Sequence, residues 1–282
     1  MRLNGRRESR NVRDIRGKGK GVGLGIGGVI VVGLLAWILG GDPVDAIQQA
    51  GGLNYGTKSE YVPTAQEEAL AKFAKQVLAG TEDVWSAQFQ KLGLTYEPPT
   101  LVLFTNSVQS ACGGASASSG PFYCSADKSV YIDLSFFSNM QREFGTAGDF
   151  AYAYVIAHEV GHHVQNLLGT LTQANQIMRQ VSQTEANQIS VRLELQADFY
   201  AGLWAYHDDA MYNSLEEGDI EEGLAIAARI GDDYLQKASR GYAVPETFNH
   251  GTSAQRARWL KRGYSTGDIT KGDTFSPKYN SL

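Results

Sequence analysis

The chain has 282 residues, room for one large globular domain or two small ones, with 43% hydrophobic and 20% charged residues and a formal net charge of −5. That balance hides an asymmetry. Residues 1–20 hold eight Lys or Arg against Glu8 and Asp14, so the remainder carries about −11, which argues against nucleic acid as a partner of the main domain.

Between Lys20 and Asp42 run 21 uncharged residues, GVGLGIGGVIVVGLLAWILGG. As a helix they are long enough to cross a bilayer's hydrocarbon core, with Trp37 near one interface. Arginines on the amino-terminal side place residues 1–20 in the cytoplasm and everything after Asp42 outside it. The expected organisation is a basic cytoplasmic segment (1–20), a single transmembrane anchor (21–41), a linker (42–62) and a domain over 63–282. A cleaved signal peptide is the competing reading, but no A-x-A site follows the apolar run, and the run is long for a signal core. Gly23, Gly25 and Gly28 also spell G-x-G-x-x-G. A dinucleotide loop needs a strand before it and an amphipathic helix after it, and neither is present.

Thr64 to Glu67, after Pro63, has the capping-box pattern, and Leu70, Phe73, Val77 and Leu78 follow at helical spacing. A turn signal at Gly80-Thr81 separates this helix from a second over Val84, Trp85, Phe89 and Leu92. After Pro98-Pro99, LVLF (101–104) reads as a strand. VYIDLSFF (130–137) and the stretch around Phe122-Tyr123 complete a small antiparallel sheet. Cys112 and Cys124 flank a Gly- and Ser-rich loop and form a disulfide in an oxidising compartment. A two-cysteine share of a metal site is the alternative, without the tight C-x-x-C spacing. From Asp149, an N-cap, the pattern is helical to Leu168 and stops at Gly169. Further helices cover 171–207, about 219–239, and 249–263. Strands first and helices after predict an α+β fold, predominantly helical.

HEVGHH (158–163) carries the chemistry. His158 and His162 are four apart on a helix, so both imidazoles leave one face a turn apart and can grip one zinc ion, with Glu159 beside the metal. Catalytic zinc takes three protein ligands and a water. The pattern H-E-x-x-H-x-x-G-x-x-H fails to supply the third, because its glycine is Gln165 here and its last histidine is Leu168. A glutamate on a later helix is the other solution. LELQADFYAG (193–202) offers Glu194, with Asp198 on the same face to accept the outer N–H of a ligand histidine. Glu185 is the alternative ligand, lacking the paired aspartate. His163 points about 100° from His162 and is a neighbour rather than a ligand. His250, with Arg256 six residues on, is a candidate donor to the oxygen that gains charge when water adds to a carbonyl; a helix cap and a surface cation are the competing reading.

The segments MRLNGRRESRNV, GPFYCSADKSVYIDLSFF, VIAHEVGHHVQNLLG, LELQADFYAG and NHGTSAQRARWLKRGY resemble the YpfJ-type neutral zinc metallopeptidases of bacteria, over nearly the whole chain. The resemblance implies a zincin-like fold with the gluzincin arrangement, in which His158, His162 and Glu194 are ligands and Glu159 is the catalytic carboxylate. It places the domain outside the bacterial inner membrane, anchored by a single pass. The His250–Arg256 segment is similar to one in membrane-associated gluzincins, but the proline usual after that histidine is Gly251.

The expected function is that of a membrane-anchored zinc endopeptidase acting on peptides or proteins, with 130–137 or a neighbouring strand pairing with the substrate backbone. The rival is an anchored binding or scaffold protein with structural zinc, which requires a fourth protein ligand.

Overall fold

The computed structural model describes residues 1–17, 61–116, 119–144 and 148–282. In chain order these form β1 (Val12–Asp14), α1 (Ala65–Lys91), β2 (Thr100–Phe104), β3 (Ser107–Ser110), β4 (Gly113–Ser116), β5 (Phe122–Cys124) and β6 (Ser129–Asp133). Seven further helices follow: α2 (Ser135–Phe144), α3 (Asp149–Leu167), α4 (Thr170–Met178), α5 (Gln183–Tyr212), α6 (Asp219–Arg229), α7 (Asp232–Arg240) and α8 (Ser253–Thr266).

Four strands make the main sheet, in the order β1-β2-β6-β5. The expected antiparallel sheet is corrected to a mixed one. β1, β2 and β6 run parallel, and β5 alone is antiparallel to its neighbour. The unbroken apolar run of LVLF reflects cover on both faces. Leu101, Leu103, Val130 and Ile132 face the helices with Trp85, Phe150, Tyr154 and Phe199. Val102, Phe104 and Tyr131 face a second, smaller core with Val108 and Cys124. The β3-β4 hairpin is tied to β5 by the Cys112–Cys124 disulfide, with an S–S length of 2.06 Å. The expected strand 130–137 stops at Asp133, whose carboxylate accepts the backbone N–H groups of Asn106 and Ser135, and helix α2 begins.

The amino-terminal arm is part of this domain. β1 pairs with β2, and Arg6 grips Asp208 through both guanidinium nitrogens at 2.7 and 2.6 Å. Arg7 reaches Glu82 and Asp83, and Arg16 reaches Asp14 and Glu68. The arginines that suggested a cytoplasmic flank therefore neutralise carboxylates of α1 and α5. Gly17 and Tyr61 lie against each other. A single membrane crossing between them would have to separate two residues that touch, and this contact bears against the expected transmembrane anchor. Residues 21–41 lie outside the described residues, and among those described no helix is long and apolar enough to cross a membrane. The transmembrane helix is accordingly not part of the fold class.

Helix boundaries moved for identifiable reasons. The two helices expected around Gly80-Thr81 are one 27-residue helix, capped as predicted by Thr64 and Glu67. Gly80 is no turn; a Cβ there would lie 2.5 Å from Asp208 Oδ1 and 2.7 Å from Arg6 Nη2, so glycine leaves room for the ion pair. The stretch 171–207 breaks before a second capping box, Ser182 with Glu185, and 219–239 breaks at Gly231. Gly148, not Asp149, occupies the N-cap of α3, and Gly169 ends that region at φ 82°.

Candidate metal centre

Helix α3 presents His158, Glu159 and His162; α5 presents Glu194 and Asp198. Gly161 lies between the two imidazoles along α3, where a Cβ would stand 3.1 Å from the Ala197 backbone, so the two helices approach closely at the site. The third helix, α8, crosses α5 more closely still. Side chains at Gly202 or Gly263 would meet opposing backbone oxygens at about 2 Å. This crossing brings Arg256 down onto Asp198.

The ligand atoms of His158, His162 and Glu194 all lie within 4.8 Å of one another. His158 Nε2 is 3.2 Å from Glu194 Oε2, and His162 Nε2 is 3.4 Å from Oε1. Both imidazoles turn the same nitrogen inward, because each Nδ1 has an outer acceptor: Asp198 Oδ1 at 2.9 Å and Gln165 Oε1 at 2.9 Å. Asp198 is fully buried and also accepts from Tyr154 Oη at 2.5 Å and from Arg256 Nε and Nη2 at 2.9 and 3.0 Å.

The electrostatics follow from burial set against charge. Burial opposes ionised His158, but Asp198 and then Glu194 outweigh it and push its pKa up to about 10. His162 is raised in the same way against its burial, mainly by Glu194. Burial would lift Glu194, yet His162 and His158 hold it well below the usual carboxylate range. Asp198, likewise buried, is lowered by Arg256 and His158. Glu159 is the exception: burial dominates and raises it.

The remaining predicted residues fall around this group. His163 turns away, its Nε2 donating to the Glu97 carbonyl at 2.7 Å and its Nδ1 meeting Tyr123 Oη at 2.9 Å. Glu185 caps α5 from an exposed position and is not brought to the ligands. His207, which is not among the predicted site residues, meets the Gly267 carbonyl. His250 is half-exposed, with Nδ1 3.1 Å from Asp232 Oδ1. Asp232 Oδ2 accepts three backbone N–H groups, from Asn249, His250 and Gly251. Burial works against charged His250, while Asp232 and Glu194 raise it. Cys112 and Cys124 are bonded to each other and lend nothing to the metal group.

Gln165, Tyr154 and Asp232 were missed. Gln165 is three residues after His162 and Tyr154 four before His158, both on the ligand face of α3, a spacing that could have marked them. Asp232 precedes the groups it holds by 17 to 19 residues, outside any local helical spacing that could have marked it.

Two imidazoles a turn apart on one helix, met by a carboxylate from another, form a His–His–Glu group able to hold a metal ion. With both Nε2 atoms aimed inward and both Nδ1 atoms engaged, this mixed nitrogen and oxygen donor set suits zinc. The chain belongs to the family described as "Putative neutral zinc metallopeptidase", which it matches over residues 1–275. It is 44% identical over 286 aligned positions to the uncharacterized protein YpfJ of Escherichia coli, covering 98% of this chain and 99% of that one. It is 42% identical over 215 positions to the uncharacterized protein Rv2575 of Mycobacterium tuberculosis, covering 73% and 72%. No solved structure matches the chain. The family implies a zinc peptidase as the class.

Proposed function

We propose that the chain is a zinc-dependent endopeptidase in which His158, His162 and Glu194 hold the metal and Glu159 handles the protons of peptide hydrolysis. One observation carries this over the scaffold reading. Among the described residues the potential metal group has three members, the number of a catalytic zinc site, whereas structural zinc takes four. The two cysteines that might have closed it are spent on a disulfide.

When bound, zinc supplies Lewis acidity toward water and the scissile carbonyl. Glu159, adjacent in sequence to a ligand and raised by burial, takes the proton of the attacking water and returns it to the leaving amine. His250, steered by Asp232 and within electrostatic reach of Glu194, donates to the oxygen that gains charge. For the substrate backbone, the expected strand 130–137 is corrected: β6 is paired on both sides, with β2 and β5. The neighbouring β5 has an open edge in the described sheet and is the strand to which an extended peptide would add. The disulfide supports an oxidising compartment, periplasmic or extracellular, with residues 1–17 on the same side as the metal group.

The test is hydrolysis of a mixed peptide library before and after chelation, beside Glu194→Ala. Cleavage should vanish on metal removal, return with zinc, and be absent in the variant. Cleavage that survives in Glu194→Ala contradicts the reading.

A further inference from the structure

We propose that Gln165 is a positioning residue for the metal centre, the inner end of an amide relay that fixes His162 from the carboxy-terminal tail. The proposal rests on the reading of His158, His162 and Glu194 as ligands.

Gln165 is fully buried. Its Oε1 lies 2.9 Å from His162 Nδ1, and its Nε2 donates to the Leu193 carbonyl at 2.7 Å and to Gln196 Oε1 at 3.1 Å. Gln196 in turn donates its Nε2 to the Gly272 carbonyl at 3.0 Å. Gly272 belongs to a tail that returns to α5: Arg192 Nη1 donates to the Thr274 and Phe275 carbonyls, and Thr274 Oγ1 donates to the Arg192 carbonyl.

The direction of the chain of bonds is not arbitrary. A backbone carbonyl only accepts, so Gly272 fixes the NH2 end of Gln196 and leaves its oxygen toward Gln165. Leu193 and Gln196 together then fix the NH2 end of Gln165, so its oxygen must face His162. In the neutral ring that a metal requires, Nδ1 of His162 is therefore the protonated nitrogen and the lone pair is on Nε2, the atom beside Glu194. The two ligand histidines are thus held differently: His158 by a charged carboxylate, His162 by a neutral amide whose NH2 end is anchored to the Leu193 carbonyl directly and to the Gly272 carbonyl through Gln196.

The test uses the full-length chain loaded with cobalt(II), whose visible absorption reports the ligand field, together with chelator competition for affinity. Gln165→Met keeps the side-chain length and removes the bonds; about a 10- to 100-fold loss of cobalt affinity and a shifted band are expected. Gln196→Met removes one of two anchors, so a smaller loss in the same direction is expected. The double variant should be no worse than Gln165→Met alone, because the links act in series. Unchanged affinity and band in Gln165→Met would overturn the proposal. If that variant does not fold, Gln196→Met decides, with unchanged binding again the overturning result. Failure of the unaltered chain to bind cobalt would sink the metal reading itself, and this proposal with it.

Discussion

Arg256 closes on Asp198 through Nε and Nη2 at 2.9 and 3.0 Å, and that carboxylate is the one that holds His158. Arg256 is 3% exposed and Asp198 0%, so neither charge has solvent to fall back on. Arg256→Met should leave a buried carboxylate partly uncompensated and cost about 3–5 kcal/mol in denaturant unfolding. A loss under about 1 kcal/mol would mean that Tyr154 and His158 satisfy Asp198 unaided.

His163 makes the acid side of the stability curve predictable. Burial pushes its pKa down to about 4, from an ordinary value near 6.5. Between those values the unfolded chain binds the extra proton, so stability falls as pH drops from about 6.5 toward about 4 and levels off below. The contribution is about 3 kcal/mol at full extent. In metal-free protein, His163→Gln should be less stable than the unaltered chain at pH 7, and the gap should narrow steadily in acid. A gap that stays constant across the window assigns the acid sensitivity to other groups.

The amino-terminal arm yields a prediction about sidedness. Arg10 and Ser276 are both exposed, one on the arm and one on the carboxy-terminal tail. Cysteines introduced at the two positions should react alike with a membrane-impermeant maleimide in intact cells, both labelled or both protected. Opposite labelling would mean that the arm leaves the domain. Removing its main tie by Arg6→Ala strands Asp208, which is fully buried, and should cost about 3–5 kcal/mol.

How far the site could be read in advance depended on distance along the chain. His158, Glu159 and His162 declare themselves within one turn and a half of helix, and Glu194 with Asp198 repeats the same local spacing on α5. Ser182-Gln183-Thr184-Glu185 was equally legible as a capping box, and reading it so would have removed Glu185 from the ligands. The arm was misread because an arginine run looks the same whether it flanks a membrane or answers buried carboxylates such as Asp208, 202 positions from Arg6. Gly80 was misread for a similar reason: a glycine that makes room for a distant ion pair cannot be told locally from a turn. Strand direction was hidden too, since residues of LVLF buried on both faces carry no alternation.

In the proposed reaction Glu159 moves protons at a metal held by its neighbours. Glu159→Gln, with zinc content and peptide hydrolysis measured on the same preparation, tests it most directly. Zinc should remain at one equivalent while turnover falls by about 10²- to 10⁴-fold. Hydrolysis at the unaltered rate by the zinc-loaded variant would contradict the account.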